Sequence, residues 1–411
     1  MNFKTVLLAA AALGVAGTAQ AADLAKKAPA AANYVKVCDA YGAGFFYIPG
    51  SDTCLKIGGY VRAEYRAASY NRNTYTNSGT LFRDSHSIGT YARADLQIDA
   101  RTNTEMGLLR SFIEVELNAK SAGNGTTNSG TAVTTLDKAF IQFGGLTAGR
   151  ATSFFDFWTG ETYGSVFEPA HSDTNINLLG YTFAFGNGIT ASLAIEDPSS
   201  GNAGRRHGTT AYIDTSYAGV KYPDLVANVN ITQAWGSAQL MAALHDDYTS
   251  VASATYDGDK WGWAIGGGVK VNLPMLGAGD QFALQAAYSK GAIDYVAPDW
   301  TPANAFDFYT IVPGGWSINQ TSAWSVAAGL THNWTKTVST SLEASYAKFD
   351  MPDTDVRDFA QIDVQGNVVW KPVSGLSIGA EVEYRKVDYS SSNPLKDTDA
   401  VVGLIRVQRD F

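Results

Sequence analysis

The chain has 411 residues and a net charge of −9, and 17% of its residues are charged while 12% are aromatic. This composition is too aromatic and too low in charge for a disordered chain. The lack of blocks of like charge argues against a nucleic-acid partner, and five histidines with two cysteines argue against a zinc cluster.

Residues 1–21 have the three parts of a secretory signal peptide. Lys4 supplies the positive charge, residues 6–17 are apolar, and the small residues Ala19 and Ala21 frame a cleavage site. The apolar run is too short to span a membrane, which disfavours the alternative of an N-terminal anchor. Cleavage after Ala21 would remove one lysine and no acid, so the net charge would change from −9 to −10.

Residues 22–56 are predicted to form a periplasmic segment before the first strand of the main fold. The segment contains the only two cysteines of the chain, Cys38 and Cys54. In an oxidising compartment an isolated pair predicts one disulfide, which contributes on the order of 3 kcal/mol in the chain-entropy model. Two unpaired buried thiols are the alternative.

From residue 57 onwards, apolar and polar residues alternate in segments of about ten residues. In 88–100, for example, Ile88 and Leu96 fall on one face, whereas Arg93 and Asp95 fall on the other. Such strands need an apolar environment on one side and water on the other. Sixteen strands are predicted, near 57–68, 87–100, 107–120, 135–144, 145–152, 176–186, 188–197, 222–234, 237–246, 260–273, 280–291, 322–334, 337–349, 358–371, 375–389 and 400–411. Residues 209–220 are a further strand or part of a loop.

The predicted connections are alternately short, as at 144–145 and 235–237, and long, as at 121–134 and 153–175. Short periplasmic turns and long outer loops are typical of outer-membrane barrels. The predicted fold is therefore all-β, a transmembrane antiparallel β-barrel over residues 57–411 that is integral to the bacterial outer membrane. A soluble β-sandwich or propeller would share the alternation, but the chain has no blade repeat.

Three blocks of sequence resemble the porins of alphaproteobacteria. The first is VCDAYGAGFFYIPG at 37–50, followed by CLKI and GYVR within 54–62. The second is AFIQFGGLTAGR at 139–150, followed by SFFDF at 153–157, and the third is the last strand, which ends on Phe411. The resemblance covers essentially the whole chain after residue 21. It implies a sixteen-stranded, trimeric, water-filled channel with an inward-folded third outer loop.

The resemblance also implies the surroundings of the protein. Outer-membrane lipid and lipopolysaccharide would surround the barrel, and the subunits would form a homotrimer. The terminal Phe411 resembles the signal that the outer-membrane assembly machinery reads.

The resemblance places the constriction loop after the fifth strand, at 153–175. This segment is long, aromatic and acidic; its acids are Asp156, Glu161, Glu168 and Asp173. A sixteen-stranded barrel leaves an aqueous lumen, so a loop has to narrow it where selectivity is needed. The alternative is an ordinary surface loop whose carboxylates face water.

Arginines at inward positions are the candidates for the wall opposite that loop. They are Arg62, Arg66, Arg93 and Arg110 on the first three strands, with Arg406 on the last strand, which must neighbour the first on closure. Arg150 lies at the base of the loop and matches an arginine of the porin motif. Arginine suits this role because it stays charged beside other arginines. Alternatively, each pairs locally with a carboxylate: Glu64, Asp95, Glu114, Glu381 or Glu383.

Passive diffusion of small hydrophilic solutes is the leading functional hypothesis. No catalytic set is evident, so an enzyme is not expected; a barrel protease or phospholipase is the alternative, and an energy-coupled receptor would need a larger N-terminal domain. The mature charge of −10 suggests a mild preference for cations. No cofactor is predicted, because the acidic motifs at 257–259, 353–355 and 397–399 fit solvated loop carboxylates better than calcium sites.

Overall fold

The structure is a computed structural model that describes residues 36–70, 75–76, 79–80, 88–120, 132–200, 216–217, 220–250, 257–258, 260–297, 308–311, 317–352, 358–391 and 396–411. The predicted signal peptide, residues 22–35 and the acidic motif at 353–355 lie outside the described residues. Of the ambiguous segment 209–220, the structure describes Ser216–Tyr217, a two-residue strand outside the main sheet, and Val220.

Sixteen long strands and the short strand Phe46–Tyr47 form one sheet. The prediction of sixteen strands is confirmed. In chain order they are β1 Cys54–Tyr70, β2 Ile88–Thr104, β3 Gly107–Lys120, β4 Ala132–Phe143, β5 Leu146–Thr152, β6 Asn175–Gly186, β7 Ile189–Glu196, β8 Asp224–Gln233, β9 Gly236–Asp246, β10 Trp261–Asn272, β11 Gln281–Lys290, β12 Ser322–Asn333, β13 Val338–Asp350, β14 Phe359–Val373, β15 Leu376–Tyr389 and β16 Thr398–Asp410.

The sheet is a closed antiparallel barrel, because β1 pairs with both β2 and β16. Arg62 lies opposite Arg93 on one side and opposite Gln408 on the other. Closure leaves no unpaired sheet edge, which is the condition for a β-structure to lie in lipid. Among the described residues, no helix has both the length and the apolar character needed to cross a membrane.

The two ends of the barrel differ in their connections. At one end, here called the turn end, the strands are joined by short turns such as 144–145 and 374–375. At the other, the loop end, connections such as 153–174 and 291–321 are much longer. The first strand begins at Cys54, slightly earlier than predicted, so the second cysteine belongs to the barrel wall.

Apolar side chains point out of the barrel and polar ones point in, as the sequence alternation predicts. On β13, Leu342 is 62% exposed while the next residue, Glu343, is 2% exposed. On β15, Val382 is 53% exposed and Glu383 is fully buried. A polar interior beneath an apolar exterior is the arrangement of a transmembrane barrel.

A disulfide joins Cys38 to Cys54 with 6.0 Å between the α-carbons, which confirms the predicted pairing. Both cysteines are buried against Phe45 at the turn end, and Phe46–Tyr47 pairs with the start of β1. The guanidinium of Arg101 on β2 lies 5.0 Å from the centre of the Phe45 ring. The disulfide therefore holds an aromatic segment against the inner wall of the barrel.

Part of the interior near the loop end is packed with apolar side chains, which sequence alternation does not predict. Ile293, Tyr295 and Val296, in the connection after β11, are buried in one cluster with Phe155. The strands face this cluster with small residues, including Ala243, Ala264, Ala287, Ala323 and Ala347. Two connections, 153–174 and 291–297, therefore contribute to the same internal core.

Candidate functional site

Four of the arginines singled out from the sequence lie together on the inner face of β1, β2 and β16. We call Arg62, Arg66, Arg93 and Arg406 the arginine wall. Their strands are adjacent because the barrel closes between β1 and β16. Closure thus brings together side chains that are more than 300 positions apart in the sequence.

Glu64 is the centre of this group. Arg66 donates from Nε at 2.8 Å and Nη2 at 2.5 Å, and Arg406 donates from Nε at 2.7 Å. The hydroxyl of Ser165 donates to the same carboxylate at 2.7 Å. Because the Glu64 side chain is fully buried, its charge is neutralised by the two arginines and is not presented to water.

Arg93 and Arg62 have different partners from the other two. Arg93 donates to the carboxylate of Glu116, to the hydroxyl of Tyr91 and to the amide oxygen of Asn118. Arg62 donates from Nε to the neutral amide of Gln408 at 2.8 Å, and its guanidinium lies 4.5 Å from the centre of the Tyr60 ring. Among the described residues, no carboxylate lies within ion-pair distance of Arg62.

The structure separates Arg110 and Arg150 from the arginine wall. Arg110 lies nearer the turn end, where it shares the Asp99 carboxylate with Arg101. Arg150 is opposite Asn177, and the alternation of buried Ala151 and exposed Leu179 puts this pair on the outer face. It donates from Nε to the backbone oxygen of Leu136 at 3.0 Å. Arg150 thus lies at the base of loop 153–174, as the sequence predicts, but its side chain faces outward and is not part of the arginine wall.

Loop 153–174 extends along the polar face of several strands through its backbone amides. The Glu343 carboxylate on β13 accepts hydrogen bonds from the amides of Glu161, at 2.8 Å, and Thr162. Glu381 on β15 accepts from Tyr163 at 2.6 Å and from Gly164 at 3.1 Å. Glu383 accepts from Ser165, Val166 and Phe167 at 2.8–3.3 Å.

We call Glu343, Glu381 and Glu383 the clamp carboxylates. A loop without secondary structure needs partners for its backbone N–H groups, and hydrogen bonds to ionised acceptors are the strong ones. From the sequence, Glu381 and Glu383 are expected only as partners of arginine, and Glu343 is not singled out. The inward-facing positions of these three residues on their strands were the feature that could have indicated them.

Aromatic side chains of the loop lie against inward-facing glycines of the wall. A Cβ added at Gly180 would be 2.7 Å from the Phe154 ring, and one added at Gly268 would be 2.5 Å from Phe157. Gly329 lies in the same way under Trp158, and Gly379 lies under the hydroxyl of Tyr163. We call these four residues the glycine seats, and they lie on β6, β10, β12 and β15 in the order in which the loop passes them.

The four acids predicted for the loop are in different environments. Asp156 binds within the loop, accepting from Ser172 at 2.5 Å and from the amide of Thr174 at 2.6 Å. Glu161 accepts from Thr331 at 2.8 Å and lies 3.6 Å from the ammonium of Lys270. The backbone oxygen of Glu168 accepts from Arg385 at 2.6 Å.

The pKa values of two other loop groups are raised. That of Asp173 is raised because burial penalises its charged form. Burial, the largest single influence on His171, lowers its pKa, but the carboxylates of Glu343, Asp173 and Glu168 together outweigh burial and the pKa is raised; Oε1 of Glu343 lies 3.4 Å from Nε2 of His171. The structure therefore puts Asp156 and Asp173 into the packing of the loop.

The described part of the chain contains no group of three or more His, Cys, Asp or Glu side chains that could hold a metal ion. The Asp397 carboxylate of one acidic motif accepts instead from the amide of Tyr389 at 3.0 Å.

Comparison with known proteins agrees with the closed barrel. The model of the Porin subfamily matches residues 23–404. The chain is a member of the porin family. It is 32% identical to Porin Omp2b of Brucella canis and to Porin Omp2b of Brucella abortus, over the full length of both chains in each comparison.

Solved structures agree on the fold of this porin. The outer membrane channel DcaP of Acinetobacter baumannii superposes with a TM-score of 0.69 at 17% identity, covering 89% of this chain and 99% of that one. Outer-membrane expressed OmpT of Vibrio cholerae gives a TM-score of 0.51 at 9% identity, covering 89% and 99%. The protein is thus an integral outer-membrane β-barrel that forms a channel for passive diffusion.

Proposed function

We propose that loop 153–174 forms the narrowest point of the channel, opposite the arginine wall, and that small hydrophilic solutes diffuse between the two. The contact of Ser165 with Glu64 is the observation that carries this proposal, because it joins the loop to the wall at 2.7 Å. The Tyr163 ring also lies 3.8 Å from the guanidinium of Arg406. These contacts, together with those along β6 to β15, support a loop that follows the inner wall round to β1 and so narrows the lumen.

The charges at this point explain how polar solutes would pass. The clamp carboxylates Glu381 and Glu383 and the arginine wall lie side by side on the barrel wall, because Glu381 on β15 is diagonal to Arg406 on β16, and both groups contact the tip of the loop. Charges of both signs at the edge of a wet opening create a field that persists over roughly a Debye length of about 8–10 Å. A polar solute exchanges its water for this fixed environment, whereas an apolar solute gains nothing from entering it.

Swelling of liposomes that contain the purified protein tests the proposal. We expect swelling in neutral sugars, with a rate that falls steeply as the sugar becomes larger. A barrel enzyme would instead give no swelling, together with hydrolysis of phospholipid or peptide. That result would reject the channel and favour the alternative of a protease or phospholipase.

The outer surface supports a homotrimer. Exposed Trp, Tyr and Phe side chains of the described lipid-facing strands concentrate on β6, β10–β12 and β14, for example Phe183, Trp263, Trp324 and Trp370. On the strands β1–β5 and β16 only Tyr65 belongs to this set. Aromatic residues mark where a barrel meets the membrane interface. We therefore infer that β16 and β1–β5 face neighbouring subunits, which native mass spectrometry of the detergent-solubilised protein would test by the mass of three chains.

The positions of surface residues on the barrel support the two other expected partners, lipopolysaccharide and the outer-membrane assembly machinery. At the loop end, the outward-facing Lys348 and Lys386 are 43% and 40% exposed, which suits contact with the phosphates of lipopolysaccharide. Phe411 is 60% exposed after the last strand and is available to the assembly machinery. Residues 1–21 would direct secretion and be removed.

A further inference from the structure

At the tip of loop 153–174 the clamp carboxylates have less access to water than Arg66 and Arg93, whereas Arg406 is buried with 7% of its side chain exposed. Glu343 and Glu381 are 2% exposed and Glu383 is fully buried. The side chains of Arg66 and Arg93 are 22% and 24% exposed. A permeating ion therefore meets the positive groups more closely than the negative ones.

The burial of the carboxylates has a structural cause. Each clamp carboxylate accepts hydrogen bonds from two or three backbone amides of the loop. The loop therefore covers the oxygens that would otherwise attract cations. The loop covers part of the arginine wall as well, since Ser165 contacts Glu64 and Arg66 and Tyr163 stacks on Arg406, but Arg62 and Arg93 stay partly exposed.

The arginine wall and the residues beside it also carry more positive than negative groups. Lys120 on β3 lies beside it, with its ammonium 5.6 Å from the centre of the Tyr91 ring, so five cationic side chains share this region. Three acids lie among these five cations: Glu64 pairs with Arg66 and Arg406, Glu116 pairs with Arg93, and Asp95 is buried on β2 opposite Tyr60 and Glu116. Within the described part of the chain, Arg62 and Lys120 have no carboxylate within ion-pair distance.

The other acids near the loop tip do not reverse this balance. Glu161 is 11% exposed in its side chain and lies beside Lys270. Asp156 is bound within the loop. Glu168 and Asp173 are half-buried, on the part of the loop that leads back to β6.

We propose that the arginine wall is a binding site for small oxyanions such as carboxylates and phosphate, with Arg62 as the principal donor, and that the channel prefers anions. The guanidinium of Arg62 offers a planar set of donors that matches an oxyanion. The preference is opposite in sign to the net charge of the chain, because charge that is covered by loop amides does not face the permeating ion. The inference rests on the proposed function, since the site acts on a solute only in an open channel.

Reversal potentials across planar bilayers in a KCl gradient test the inference. We expect the wild-type channel to pass chloride more readily than potassium. Arg62→Gln should lower the chloride-to-potassium permeability ratio roughly two- to fourfold, the effect of one charge at about 5 Å in screened water. Arg62→Lys keeps the charge and should keep most of the preference.

Arg409→Gln is the matched control, because it removes the same charge from an outward position opposite Val61. We expect it to leave the ratio unchanged. Inorganic phosphate should also reduce the chloride current of the wild-type channel at lower concentration than that of Arg62→Gln.

The outcomes separate this inference from the proposed function. A protein that gives no current in any bilayer would overturn both. A channel that conducts normally but passes potassium more readily, or an Arg62→Gln variant that behaves like Arg409→Gln, would overturn the anion site and leave the diffusion channel standing.

Discussion

The hydroxyl of Tyr163 lies against Gly379, so closely that a Cβ at position 379 would overlap it. This pair is one of the four in which a loop aromatic occupies the space over a wall glycine. Since three of the four glycine seats, Gly268, Gly329 and Gly379, lie on β10, β12 and β15, the course of loop 153–174 depends on residues far from it in sequence. The small size of these strand residues is as important for the loop as its own sequence.

Replacing Gly379 by valine should displace the tip of the loop. Overpacking of a close contact typically costs about 1–3 kcal/mol, and here a movement of the loop can relieve it. We expect a changed single-channel conductance and more current noise, with the barrel still folded. Gly403→Val is the control, because a Cβ there meets nothing within 4 Å. Equal conductance of the two variants would show that the glycine seats do not position the loop.

Glu383→Gln tests the carboxylate clamp. The substitution keeps the shape of the side chain but replaces one of the two carboxylate oxygens, which together accept hydrogen bonds from three backbone amides, by an NH2 donor. At least one loop amide is then left without its acceptor, which costs roughly 1–3 kcal/mol, so the loop should become mobile. Limited proteolysis of the folded barrel should then cut within 160–170 in the variant and not in the wild type. Glu105→Gln, at an exposed turn, should resemble the wild type.

Glu64→Gln should have two effects on the arginine wall. It leaves Arg66 and Arg406 without their carboxylate, which should lower the free energy of unfolding by about 3–5 kcal/mol, the usual cost of breaking a buried pair. It also removes a negative charge from the wall, so the preference for chloride should increase. Urea unfolding and reversal potentials measure the two effects separately. A variant as stable as the wild type would mean that Glu64 is not the centre of the group.

The disulfide should contribute to stability and not to conduction. The double substitution of Cys38 and Cys54 by serine should lower the free energy of unfolding by roughly 3 kcal/mol in the chain-entropy model. We expect the open conductance to stay unchanged, because the arginine wall and loop 153–174 do not contact the pair. Mass spectrometry of unreduced peptides from the wild type checks the bond itself. Free thiols in the native protein would contradict the pairing.

Much of the barrel followed from local sequence patterns. The period-two alternation predicted the number of strands and the inward phase of Arg62, Arg66 and Arg93, because a strand's faces are fixed by its own residues. The closure between β1 and β16 then placed Arg406 beside them. The motif match placed Arg150 at the base of the loop but did not indicate which face of β5 it is on.

The interior could not be predicted in the same way. The clamp carboxylates bind amides of a loop about 180–220 positions away, and nothing local to Glu343 indicates this use. The burial of Ile293 and Tyr295 depends on small alanines from five strands. Such contacts arise from the closed barrel and not from the periodicity of any one segment.

Single-channel recording of the purified wild-type protein in planar bilayers tests most directly whether this barrel is an open channel narrowed by loop 153–174. We expect stepwise increases in current, each proportional to voltage at low potentials and to the KCl concentration. Trimers would add three equal levels in one insertion. A protein that is folded and inserted but produces no current steps, or steps that are unchanged by Gly379→Val, would contradict the account.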